Sequence, residues 1–80
     1  MIPLIIGDLR AIIEQATAEG LTRGTYVAVY LRNSHEALRG RRPGEVEIVY
    51  VDGADLVLDQ PGVRTYVGTL VGLGARERVA

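Results

Sequence analysis

Residues 45–73, EVEIVYVDGADLVLDQPGVRTYVGTLVGL, restrict the fold more than any other part of the chain. Val46, Ile48 and Tyr50 alternate with Glu45, Glu47 and Val49, the period of two of a strand with one buried face. Asp52-Gly53 is a hairpin dipeptide, and after it Ala54, Leu56 and Leu58 alternate with Asp55, Val57 and Asp59. A two-residue loop would turn Asp55 and Asp59 onto the face of Ile48. A three-residue loop, Val51–Gly53 with Gly53 left-handed, puts Val46, Ile48, Tyr50, Ala54, Leu56 and Leu58 on one face and every carboxylate on the other. A one-residue slip sends a whole apolar set to the wrong side, so the three-residue loop is the expected one.

Gln60-Pro61-Gly62-Val63 reads as a type II turn, with proline presetting φ and glycine supplying positive φ. Asp59 and Arg64 flank it as a charge pair. Beyond it Thr65, Val67, Thr69 and Val71 alternate with Tyr66, Gly68, Leu70 and Gly72, which predicts a third strand.

Earlier in the chain, Met1–Ile6 is a short apolar run holding Pro3, either an edge strand or a first helical turn, with the strand preferred. Asp8 is an N-cap, Leu9, Ile12, Ile13 and Ala16 follow at helical spacing, and Gly20 is a left-handed stop. Residues 8–19 are therefore predicted as an amphipathic helix lying on a sheet face. Thr25–Leu31 is a strand apolar on both faces, which predicts a central position.

The expected fold is α+β: one domain, residues 1–80, with the N-terminal helix packed on a mainly antiparallel four-stranded sheet. A single helix cannot cover both sheet faces. Val49, Val57, Tyr66 and Leu70 are then left outward, to be buried against a second copy or by curling into a small barrel. The chain has no cysteine, so disulfides cannot reinforce so small a core, and oligomerisation is the remaining remedy.

The segment Ile5-Ile6-Gly7-Asp8-Leu9, followed by a helix and a β-branched strand, resembles short uncharacterised proteins of actinobacteria and their phages. The resemblance covers the first third of the chain. It implies an α+β fold and a bacterial or phage origin, and it implies no activity.

Arg32–Gly44 is the longest and most polar connection, and it concentrates Arg39, Arg41 and Arg42 within a few residues. Arg39-Gly40-Arg41-Arg42-Pro43 resembles the Arg-Gly-Arg-Pro core of AT-hook peptides, with Arg42 inserted before the proline. Guanidinium groups bind phosphates and carboxylates bidentately and stay charged. Arg39, Arg41, Arg42 and Arg32 are thus candidate contacts to phosphate or an acidic partner. The plain alternative is pairing with Glu36, Glu45 and Glu47. A formal net charge of −1 argues against a general polyanion binder.

Catalytic and metal chemistry find little support. Ser34, His35 and Glu36 are adjacent, whereas a nucleophile, base and orienting group must converge from separate places. His35 is the only histidine, so metal-ligand sets are missing and no cofactor is expected. Four tyrosines could form a stacking platform, but the expected register separates them. Apolar runs fall short of a membrane span, and a cytoplasmic location is expected. The sequence therefore predicts a non-catalytic binding or assembly protein acting as a homo-oligomer. The alternative is a nucleic-acid-binding module using the arginine-rich loop 39–43.

Overall fold

Apolar side chains on both sides of the backbone put Ile2–Ile6 (β1) at the centre of the sheet in the computed structural model, which describes residues 1–80. Leu4 and Ile6 enter one core, and Ile5 enters another on the opposite face. Leu9–Ala18 (α1) follows, with Asp8 Oδ2 accepting from the Arg10 N–H at its start and Gly20 at φ 69° just past its end. Val27–Val29 (β2), Ser34–Leu38 (α2), Val46–Tyr50 (β3), Ala54–Leu58 (α3), Val63–Gly72 (α4) and Arg76–Val79 (β4) complete the chain, and one 3-10 turn, Pro43–Glu45, leads into β3.

The sheet order is β2-β1-β3-β4, and all three pairings are parallel. This overturns the antiparallel expectation; the four-stranded count and the mixed helix-and-sheet content stand. The strands differ too, because residues 54–58 and 63–72 are helices. The alternation in Ala54–Leu58 satisfies both periods, and burial decides between them. Ala54, Val57 and Leu58 are buried, whereas Leu56 is 64% exposed. In α4 the buried residues are Val63, Val67 and Leu70, at helical spacing. The β-branched residues and glycines of that segment favour a strand only weakly, and packing overrides such preferences. Parallel strands need a crossover of helical length, which α3 and α4 provide between β3 and β4.

Crossovers of one hand dictate the layers. The step from β1 to β2 places α1 on one face, where Ile12 and Ala16 pack on Ile5 and Val49. The steps from β2 to β3 and from β3 to β4 run the opposite way. Their helices lie on the other face, over Leu4, Ile6, Val29, Val46 and Ile48. Both faces are covered within one chain, and the sheet stays open rather than closing into a barrel. This also explains β2: its two apolar faces mark a covered sheet, and it lies at an edge. β1, expected at an edge because of Pro3, is central. The Gly7 N–H donates to Val29 O (3.1 Å), so alternate residues back to Pro3 face β2, whose pairing begins only at Leu4. The missing proline N–H therefore costs no ladder bond.

Local turn chemistry was legible. Gly53 has φ 86°, although it opens α3 instead of closing a hairpin. Gly62 has φ 82° and ψ −18°, and the Val63 N–H donates to Gln60 O (3.1 Å), the geometry of a type II turn. Arg64 Nη2 pairs with Asp59 Oδ1 at 2.8 Å across that turn, on the solvent side.

Gly7 is the tightest backbone position. A Cβ there would collide with Val51 Cγ2 and lie 2.6 Å from Asp52 O. Gly7→Ala should therefore lower unfolding stability by on the order of 1–3 kcal/mol in chemical denaturation. Gly68, inside α4 with nothing within 4 Å of its would-be Cβ, should behave oppositely: Gly68→Ala should stabilise by ~1 kcal/mol. Ser34 is 1% exposed, and its Oγ has no hydrogen-bond partner. Ser34→Ala removes an unsatisfied buried hydroxyl and should raise stability by ~1 kcal/mol in the same assay.

Candidate binding groove

The switch point of a doubly wound sheet, beyond the carboxyl ends of β1 and β3, is where such folds commonly bind ligands. Here the backbone itself fills it. Asp8 N–H donates to Asp52 O (2.8 Å), and Val51 N–H donates to Ile6 O (3.0 Å). A Cβ on Gly53 would sit 2.8 Å from the Asp8 nitrogen. No room remains between the two loops, and the Asp8 carboxylate occupies the start of α1.

The two larger cavities lie to the side of this junction and in the helical layer. One of about 650 Å³ opens beyond β3 and β4, lined by Tyr50, Asp52, Asp55, Leu56, Arg64 and Val79 among others. Its cation is already engaged, since Arg64 pairs with Asp59. The Tyr50 hydroxyl donates to Glu77 Oε2 at 2.8 Å. Burial, then that carboxylate acceptor, pushes the phenol from 10.0 up to about 12.

The second, of about 450 Å³, runs between α4 and the α2–β3 connection. Arg41, Pro43, Thr65, Tyr66, Thr69 and Leu73 define it, and Leu70 forms its floor. The spacing 65, 66, 69, 70, 73 is one stripe of a helix, so α4 presents its exposed side to the groove. The α2–β3 connection supplies the other wall. Gly40, at φ 73°, turns the chain back after α2, and the Arg41 N–H donates to Leu38 O (3.3 Å). The Arg41 side chain returns along α2, where its Nε–H donates to Ala37 O at 2.8 Å. That bond uses a carbonyl left free at the helix end and fixes the guanidinium beside the groove. No carboxylate comes within 4.0 Å of Arg41, and no acidic residue lines this groove.

The nominated arginines have separate fates. Arg41 is half-buried and positioned, whereas Arg39 is exposed and lies outside the groove lining. Arg42 lies 3.7 Å from Glu45, one of the pairings expected of a solvated loop. Arg32 follows the carboxyl end of β2, while Arg39–Arg42 precede the amino end of β3; in a parallel sheet those are opposite ends. Glu47 pairs not with this loop but with Arg78, at 3.2 Å.

The residues nominated for self-association are not an uncovered face. Val49 (0% exposed), Val57 (1%) and Leu70 (3%) lie in the two cores, because helices cover both sides of the sheet. Tyr66 is half-buried and lines the groove. Sequence reasoning missed this role because it read residues 64–72 as a strand; the 66, 69, 70, 73 spacing was the available signal. Tyr26 and Tyr30 pack on the α1 side and Tyr50 and Tyr66 on the other, so no four-tyrosine platform forms.

His35 Nε2 donates to Pro61 O (2.9 Å) at the surface, and the Ser34 hydroxyl points into the core. The two side chains therefore diverge. No group of three or more His, Cys, Asp or Glu side chains is arranged to hold a metal ion, and no helix is long and apolar enough to cross a membrane. Comparison of the chain with protein-family models, with curated proteins and with solved structures returns no match. The groove therefore rests on its own geometry.

The raised Tyr50 phenol gives a pH prediction. Its folded value lies above its unfolded one, so its stabilising contribution is complete below pH 10.0 and is lost as pH rises towards about 12. Phenolate absorbance should show a step from Tyr50 near pH 12. Tyr50→Phe should remove that late step. Glu77→Gln should move it only partway back, since burial is the larger cause.

Proposed function

We propose that this chain is a non-catalytic binding module that receives an anionic group of its partner on Arg41, in the groove between α2 and α4. One observation carries the reading: a guanidinium held in place by its Nε–H bond to Ala37 O, with no carboxylate within ion-pair range, stands beside an acid-free groove of about 450 Å³. An arginine preorganised by one bond keeps its terminal nitrogens for a carboxylate or phosphate, and little side-chain freedom is lost on binding. Surrounding hydroxyls on Thr65 and Tyr66 add donors, and Pro43, Leu70 and Leu73 add apolar wall. The divergence of Ser34 and His35 supports a binding role over a catalytic one.

Nucleic-acid binding through the whole 39–43 loop is less well supported. Of its three arginines, Arg39 lies outside the groove and Arg42 lies beside Glu45; Arg32, outside the loop, is at the far end of the sheet. Self-association loses its motive once Val49, Val57 and Leu70 are inside the chain.

The test is amide chemical-shift mapping with a panel of anions: inorganic phosphate, benzoate, phenyl phosphate and a short oligothymidylate. Shifts should concentrate at Arg41, Thr65, Tyr66 and Thr69. Arg41→Ala should weaken binding at least about tenfold, as expected for losing a charged hydrogen-bonding partner. Arg39→Ala and Arg42→Ala should change it less than about twofold, because neither side chain is fixed beside the groove. Thr65→Glu places a carboxylate in the first turn of α4, where it favours the helix, and should block the site by occupying Arg41. Shifts that avoid the groove, or survive both Arg41→Ala and Thr65→Glu, would refute the reading.

A further inference from the structure

Resting on that reading of the groove, we infer that its ligand is a small organic anion: one phosphate or carboxylate head joined to an apolar body about the size of one aromatic ring. Three features lead there. First, the groove holds one cation. Arg41 is the only charged residue in its lining, Arg39 lies outside it, and Arg42 is turned to Glu45. A polyanion gains affinity by neutralising several phosphates at once, which one fixed guanidinium cannot do. The formal net charge of −1 supplies no long-range attraction to compensate.

Second, the volume exceeds what a bare anion would use. About 450 Å³ falls within the range of small-molecule sites, and a phosphate or carboxylate alone would leave most of it to water. The apolar part of the lining is Pro43, the half-buried Tyr66, the buried Leu70 and Leu73, which is 69% exposed. A flat apolar group lying there meets one aromatic and two aliphatic side chains, contacts that favour an aryl body over a hydrated one.

Third, the groove has a single place for charge. The hydroxyl of Thr69 already donates to Thr65 O at 2.9 Å. Beyond Arg41 the lining offers only the uncharged hydroxyls of Thr65 and Tyr66 as donors, and a second anionic head would meet no cation. The ligand is consequently anionic at one end only.

Isothermal titration with phenyl phosphate, inorganic phosphate, phenol and oligothymidylate tests this, using the intact chain. Phenyl phosphate should bind at least about tenfold tighter than either half-molecule, since only it uses both Arg41 and the ring wall. Its affinity should fall only modestly with salt, by ordinary screening, because a small anion has no condensed counterions to release. Tyr66→Ala should bring phenyl phosphate down to the level of inorganic phosphate. Should that variant unfold, Leu73→Ala, an uncharged rim change outside the core, should produce the same selective loss. Equal binding of phosphate and phenyl phosphate, or tighter binding of oligothymidylate with a log–log salt slope of several units, would overturn the assignment while leaving the groove an anion site. Absence of any anion binding that depends on Arg41 would instead remove the binding module itself.

Discussion

The pairing of β1 with β3, closed at its carboxyl end by the Asp8 N–H bond to Asp52 O, is the contact on which the rest of the domain depends. Five residues of each strand are in register; β1 is apolar on both faces, and β3 sends Val46 and Ile48 into one core and Val49 into the other. Two loops then leave that end in opposite directions, one into α1 and one into α3. They touch because residue 7 is a glycine: any side chain there would strike Val51 and Asp52. With this junction fixed, the hand of the crossovers sends α1 to one face and α2, α3 and α4 to the other. The same junction fills the crevice between β1 and β3, which leaves one cavity to its side, beyond β3 and β4, and one groove in the helical layer.

An open sheet of this size must manage two edges, and each is handled within the chain. At β2 the Asn33 side chain acts as a strand partner: its Oδ1 accepts from the Tyr30 N–H and its Nδ2 donates to Ala28 O, each at 2.8 Å. At β4 the edge carries Arg76, Glu77 and Arg78, and charged side chains on an edge strand discourage pairing with another chain. Arg78 also reaches Glu47 at 3.2 Å and Glu19 at 2.7 Å, tying the edge strand to β3 and to the end of α1. Those bonds from Arg78 hold the Glu19 carboxyl below its ordinary value. A chain without cysteines thus compensates for its length by covering both faces of one sheet.

The groove follows from the same layering. α2 has only five residues, so its carbonyls at the C-terminal end are close to the whole of its backbone, and Arg41 folds back to satisfy one. α4 is twice as long and buries Val63, Val67 and Leu70, leaving its other side facing the connection that carries Arg41. A helix packed beside a shorter one leaves a trough, and here the trough acquires one cation and no acid.

The sequence by itself determined the features that depend on neighbouring residues. The cap at Asp8, the stop at Gly20, the positive φ of Gly53, the Pro61-Gly62 turn and the Asp59–Arg64 pair all rest on groups a few residues apart. It also marked β3 and the arginine loop, and through them Arg41. Only the tertiary structure decided what Ala54–Leu58 and Val63–Gly72 become. Their apolar residues satisfy a period of two nearly as well as one of 3.6, and Leu56 against Val57 is settled by which side chain meets the sheet. That choice converts an antiparallel expectation into a parallel sheet and brings Val49, Val57 and Leu70 inside. It turns Tyr66 from a nominated contact surface into a groove wall. Strand order is non-local as well: β4 and the central place of β1 are fixed by pairing between residues far apart in the chain, which no short window of sequence contains.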